Sequence, residues 1–137
     1  MKTIIAGSRW IKDYALIDQA MASAVEIGIL PTEICCGEAE GVDELGGLWA
    51  IADDLPITKF PARWKLYGKR AGPIRNQHMA KYADAAVIIW DGKSPGTKNM
   101  IYWAKKWHLK TYLHNLETGY KGPWPIDEEQ EKPRLEV

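Results

Sequence analysis

Ala85-Ala86-Val87-Ile88-Ile89-Trp90 is an unbroken apolar run, followed at once by Asp91-Gly92-Lys93 and then by Ser94-Pro95. A run this short with no polar alternation reads as a strand buried on both faces, the kind found inside a parallel sheet. Asp91-Gly92-Lys93 is its loop. Ser94-Pro95 pairs a helix-capping residue with the residue favoured at the first helical position, and Met100, Trp103, Ala104 and Trp107 continue that helix. Parallel strands need crossovers, so the rest of the chain should alternate between strand and helix.

It does so on both sides. Thr3–Ala6 is a short strand ending at the turn Gly7-Ser8-Arg9. Asp13 can cap a helix whose apolar stripe is Leu16, Ile17, Ala20, Met21 and Ala24, ended by Gly28 and Pro31. Glu33–Cys36 is a second strand leading into Gly37-Glu38-Ala39-Glu40-Gly41, and Leu45, Leu48, Trp49 and Ala52 then recur at helical spacing until Pro56. Ile57–Phe60 is a third strand. Pro61 to Gly72 is a basic connection, Pro73 is placed as a first helical residue, and Ile74, Met79, Tyr82 and Ala83 carry that helix on. Lys110–Leu113 is a last strand. Beyond Asn115 the chain turns Pro- and Glu-rich (Pro123, Pro125, Asp127, Glu128, Glu129, Pro133), so residues 1–115 read as one domain and 116–137 as a tail or strap. Five strands and four helices predict a three-layer α/β fold with a central, mostly parallel five-stranded sheet. Ligands of such sheets bind at the carboxyl ends of the strands, where the loops Gly7–Arg9, Gly37–Gly41, Pro61–Gly72 and Asp91–Ser94 share one edge.

Composition agrees with one globular domain. The chain has 137 residues, 46% hydrophobic and 26% charged, which is too apolar for disorder. It can bury roughly two-thirds of its unfolded surface, so it needs no metal or disulfide staple. The apolar start is cut by Arg9, unlike a signal peptide, and no run is as long as a membrane span; the expectation is a cytoplasmic chain without a membrane partner. The only cysteines, Cys35 and Cys36, are adjacent, which excludes CxxC chemistry, and with no histidine near them they read as packing residues. His78, His108 and His114 lack metal-ligand spacing, so neither a metal nor another cofactor is expected. Seven tryptophans beside one phenylalanine suit cores, stacking platforms and interfaces alike.

The zero net charge hides an asymmetry. Glu33 to Asp54 contains seven acids and no base, and Leu55 to Ala83 contains seven bases and no acid. Solvated helix faces account for most of these; the sharper alternative is a positive wall for an anionic ligand. Neutrality overall argues against bulk nucleic-acid binding.

Several familiar motifs fail. Gly92-Lys93-Ser94 imitates the end of a P-loop, but position 88, where the first glycine belongs, is Ile88. GxGxxG is absent after Ile5. Gly92-Lys93-Ser94-Pro95-Gly96 fits the nucleophile elbow formally, yet Pro95 has no N–H for the oxyanion hole. What remains is a set of loops suited to an anion. Gly7-Ser8-Arg9 offers close backbone approach, a hydroxyl and a guanidinium. Gly37-x-Ala39-x-Gly41-Val42-Asp43 feeds a helix N-terminus, where Asp43 either caps the helix or accepts from ribose hydroxyls. Ser94-Pro95-Gly96-Thr97-Lys98 opens another helix, with Asp91 and Gly92 just before it. Arg75-Asn76 follows Pro73, and an arginine in a helix's first turn opposes the dipole, so a ligand or a partner acid better explains it.

At these stretches (IIAGSR, CGEAEGVD, and FPARWKLYGKRAGPIRNQHMAKYADAAVIIWDGKSPGTKNMI) the chain resembles the SLOG superfamily of Rossmann-like proteins, which includes LONELY GUY phosphoribohydrolases and the DNA-processing protein DprA; the small YspA-type family is the branch most similar. The resemblance covers residues 1–114. It implies a nucleotide-derived ligand held by Gly37, Gly41, Asp43, Arg75, Asn76, Gly96 and Thr97, and it favours a homodimer or higher homo-oligomer, for which the Trp103–Trp107 helix offers a seam. Two departures stand out. Glu38 and Glu40 occupy a loop where family members often carry glycine and arginine, which weakens phosphate binding there. Lys98, Asn99 and Met100 follow Gly96-Thr97, where LONELY GUY enzymes place the acids of N-glycosidic cleavage. Three readings follow: a sensor or sequestering module for a nucleotide; a hydrolase in which Asp43, Glu44 or Asp91 replaces the missing acids beside Arg75; and a DprA-like single-strand binder using Trp64 and Tyr67. The binding module ranks first, and nucleic acid is the least expected partner.

Overall fold

The computed structural model describes residues 1–37 and 39–125; Glu38 and the acidic stretch with Asp127, Glu128, Glu129 and Pro133 lie outside the described residues. The alternation read from the sequence is there. β1 (Lys2–Gly7), α1 (Tyr14–Glu26), β2 (Glu33–Cys36), α2 (Val42–Ala52) and β3 (Ile57–Lys59) lead to a one-turn helix α3 (Trp64–Tyr67). A 3-10 turn (Gly68–Arg70) then runs into α4 (Ala71–Tyr82), β4 (Ala85–Trp90), α5 (Pro95–Lys106), β5 (Lys110–Asn115) and β6 (Lys121–Trp124).

The strands form one sheet in the order β3-β2-β1-β4-β5-β6. All pairs are parallel except β5 with β6, and β4 lies between β1 (Thr3 opposite Ala85, Gly7 opposite Ile89) and β5 (Ala85 opposite Lys110). Because side chains alternate across a strand, each strand feeds two cores. Ile5, Ile34, Val87 and Ile89 meet Ile17, Met21 and Ala24 of α1 and Val42, Leu45 and Trp49 of α2 on one face. Ile4, Cys35, Ala86 and Ile88 meet Met79 and Ala80 of α4 and Met100, Ile101 and Ala104 of α5 on the other. The result is a three-layer, Rossmann-like α/β fold. Cys35 and Cys36 are buried and form no disulfide, and burial pushes Cys35 up to about 12, far from any reactive range.

Four local features differ from the sequence reading, each for a physical reason. The sheet has six strands rather than five, because part of the expected tail, Lys121–Trp124, pairs antiparallel with β5. Gly122 and Pro123 hide it from pattern reading, and proline is tolerated there because β6 is an edge strand. The basic connection is partly helical, through α3 and the 3-10 turn. Pro73 is third in α4 rather than first, a position that still needs no intrahelical N–H donor. Ser94 occupies the N-cap position of α5 without capping it through its side chain, which is engaged elsewhere. Asp13, in contrast, caps α1 by accepting from the Ala15 N–H at 3.0 Å.

Candidate functional site: a pocket at the switch point of the sheet

The chain reverses direction across the sheet between β1 and β4, so the loops after these strands part and leave a crevice. A cavity of about 550 Å³ opens there, within the range of small-molecule sites. Its walls come from the β1–α1 loop, the start of α2, the α3–α4 segment and the start of α5. Two glycines let these elements meet. A side chain at Gly7 would stand 2.7 Å from Val42 Cγ2, and one at Gly41 (φ +75°) would stand 2.6 Å from the Ser8 carbonyl oxygen.

Some residues read as ligand contacts are bonded within the protein. Ser8 is buried; its N–H donates to the Ile89 carbonyl (3.1 Å) and its Oγ accepts from the Asp91 N–H (3.1 Å), tying the two strand ends together. Asp91 accepts four hydrogen bonds, from Lys93 N–H (2.8 Å), Ser94 N–H (2.7 Å), Ser94 Oγ (2.6 Å) and Trp10 Nε1 (2.8 Å). Desolvation is the largest single influence and works against ionisation, but these donors together outweigh it and hold the carboxyl well below the usual range. A group so held is a poor proton donor or acceptor near neutrality. Gly92 (φ +84°) packs against Glu117 of the β5–β6 turn. Lys98 is exposed and does not line the cavity.

Asp43, Arg75 and Asn76 stand on the floor. Asp43 is the second residue of α2 and does not cap it. Only 5% of it is exposed. Burial raises its pKa to about 6, against the opposing pull of Arg75, the backbone of Ala39 and Gly7, and Arg9. Arg75 is lowered by its own burial, with Asp43 opposing. Both side chains overhang Gly37, where a methyl group would lie 2.7 Å from Asp43 Oδ2 and would strike the guanidinium. Arg75 belongs to the second turn of α4, not the first, so the dipole argument does not apply. Its position is set by Nε donating to Asn76 Oδ1 (2.9 Å) and Nη1 donating to the Phe60 carbonyl (3.2 Å). Asn76 in turn donates through Nδ2 to the Gly96 carbonyl (3.2 Å) and to Asn99 Oδ1 (3.0 Å), so its amide clasps α4 to α5.

The α5 end of the cavity is different. Gly96 and Thr97 are the second and third residues of the helix, and helix N–H groups there have no intrahelical acceptor. A side chain at Gly96 would meet nothing within 4 Å. Thr97 is 6% exposed and lines the cavity, and its hydroxyl has no partner among the described residues. Arg9 and Lys69 add exposed cations to the wall. Of the seven bases between Leu55 and Ala83, only Lys69 and Arg75 line the cavity; Lys59, Arg63, Lys65, Arg70 and Lys81 are exposed outside it. Trp10 and Trp64 also line the pocket. Trp10 was overlooked in the sequence, although it directly follows Gly7-Ser8-Arg9. Among the described residues no cluster of three His, Cys, Asp or Glu could hold a metal ion, and no helix is long and apolar enough to cross a membrane.

The chain is 29% identical over 111 residues to the Gene 61 protein of Mycobacterium phage D29, an overlap covering 77% of this chain and 89% of that protein. It is 27% identical over 77 residues to the uncharacterized SPbeta prophage-derived protein YoqJ of Bacillus subtilis (strain 168), covering 51% of this chain and 45% of that one. No family model and no solved structure matches. The chain is thus similar to a phage protein along most of its length and to a prophage-derived protein along about half.

Proposed function

We propose that the chain is a binding module, a sensor or sequestering protein, for a nucleotide or nucleotide-derived small molecule whose phosphate sits at the start of α5. One observation carries the reading: at Gly96 neither backbone conformation nor neighbouring protein atoms require a glycine, yet the missing side chain leaves room beside unpaired helix N–H groups and the unpartnered Thr97 hydroxyl. Arg9 and Lys69 on the same wall suit an anion, and the resemblance to the SLOG superfamily points the same way. Turnover is not part of the proposal. Asn99 and Met100 stand where the resembled hydrolases place acids, and neither can take up a proton.

The test is to fill that space. A Cβ at Gly96 has open space around it and valine replaces a poorer helix former, so Gly96→Val should melt as the parent does. It should weaken AMP binding by roughly 10-fold or more in titration calorimetry, the loss of one charge-assisted hydrogen bond or more. AMP binding to a folded Gly96→Val chain as tightly as to the parent sinks the proposal.

A second reading, a nucleotide hydrolase, is favoured by Asp43 alone, whose buried carboxyl with a pKa of about 6 lines the cavity beside Arg75. Multiple turnovers per minute on AMP, an N6-modified AMP, NAD or ADP-ribose, abolished in Asp43→Asn, would replace the first reading with this one.

A further inference from the structure

We propose that the mouth of the pocket is a stacking subsite for a planar heteroaromatic ring, formed by Trp10 and Trp64, and that it takes the purine base of the nucleotide; this rests on the binding reading above. Among the seven tryptophans, Trp49 is buried in the core between β-sheet and α1–α2, and Trp90, Trp103 and Trp124 pack against the core on the opposite face. Trp107 is exposed but does not line the cavity. Trp10, 62% exposed, and Trp64, 51% exposed, both line it.

The fold uses these two indoles at their edges. Trp10 donates its only polar hydrogen to Asp91 Oδ2 at 2.8 Å, which fixes the ring and satisfies its N–H. What it offers a ligand is therefore its π-face. Trp64 opens α3, a single turn that buries none of its residues, and stands against α4 with Cη2 3.4 Å from where a Gly72 side chain would begin. The two rings come from separate parts of the chain, the β1–α1 loop and the β3–α4 connection, yet share one cavity with Gly96 and Thr97. Flat apolar faces at the mouth and anion donors at the α5 end match the two halves of a nucleotide. Stacking selects for ring area rather than for a hydrogen-bonding edge, so purines should bind more tightly than pyrimidines.

The experiment compares AMP with ribose 5-phosphate, which keeps the phosphate and sugar but has no base, on the full chain and on Trp10→Leu and Trp64→Leu. Each variant should weaken AMP binding by roughly 5- to 100-fold and change ribose 5-phosphate binding by less than about twofold. AMP should also quench tryptophan fluorescence in the parent, and quench it less in each variant. Because α3 buries nothing, Trp64→Leu is expected to fold, which a thermal melt checks. If both variants bind AMP as the parent does, the subsite is overturned while the phosphate site stands. If Trp64→Leu instead changes self-association and leaves AMP affinity unchanged, that ring is an interface residue and the subsite is again overturned. If the parent binds neither AMP nor ribose 5-phosphate, the binding reading falls and takes the subsite with it.

Discussion

Asp43, in the first turn of α2, and Asp91, in the loop after β4, are the same residue type, and their surroundings drive them in opposite directions. Asp91 collects donors at the protein surface and is held ionised. Asp43 is taken out of water, and the cations near it do not fully compensate, so the folded chain binds its proton more tightly than an unfolded chain does. The consequence for stability has a definite sign. With a folded pKa of about 6 against an ordinary 3.8, the contribution of Asp43 is fully present below about pH 4 and is lost as pH rises through about 6. A shift of about two pH units amounts to on the order of 3 kcal/mol. Asp43→Asn keeps the shape and one acceptor oxygen but cannot ionise, and should therefore behave as permanently protonated. Urea denaturation from pH 4 to pH 7 should show the parent losing stability relative to Asp43→Asn across that window. A constant difference between the two would mean that the Asp43 carboxyl is not raised.

The central element pair of the site is α4 with α5, joined through Asn76. One side chain there accepts from Arg75 Nε and donates to the Gly96 carbonyl and Asn99 Oδ1, while only 5% exposed. Asn76→Ala removes three hydrogen bonds, one of them to a guanidinium, so it should destabilise by about 2–3 kcal/mol. A chemical-denaturation loss below about 0.5 kcal/mol would show that the clasp is not what holds the two helix starts together. Asn76 also shows why the site was legible in part. The apolar periodicities of α1, α2, β1, β4 and α5 are strong, and topology alone then puts the four loops on one edge. Which polar residues on that edge face a ligand is another matter. Ser8, Asp91 and Asn76 have the composition of ligand contacts, but Ser8 and Asn76 bond to protein atoms from distant parts of the chain, a pairing with no local signal, and Asp91 spends three of its four bonds on Lys93 and Ser94 just after it. Gly96 and Thr97, equally ordinary in sequence, are left open. α3 and β6 escaped because a four-residue helix with no buried side and a strand containing Gly122-Pro123 carry no periodicity.

At the scale of the whole molecule, β6 decides where the folded unit ends. Pattern reading stops the domain at residue 115, yet Gly122 and Pro123 pair with Leu113 and Tyr112 of β5, and Thr111 pairs with Trp124. Trp124 packs against the core formed by β4, α4 and α5, and its ring meets Tyr120 at 6.3 Å. Glu117, in the turn between these strands, supports Gly92 at the rim of the crevice. Removing residues 116–137 would expose the edge of β5, where Tyr112 and Leu113 are now buried, and would strip one large aromatic side chain from the core. A few net hydrogen bonds at about 1 kcal/mol each, with roughly 2 kcal/mol for the indole, come to about 3–5 kcal/mol. That is a large share of the roughly 5–15 kcal/mol that holds a domain together, so a chain ending at Asn115 should melt more than about 10 °C lower. Its bare edge strand should also raise light scattering at concentrations where the full chain stays clear. A 1–115 chain that melts within about 2 °C of the parent would show that β6 only decorates the edge, and that the domain ends where the alternation of strands and helices ends.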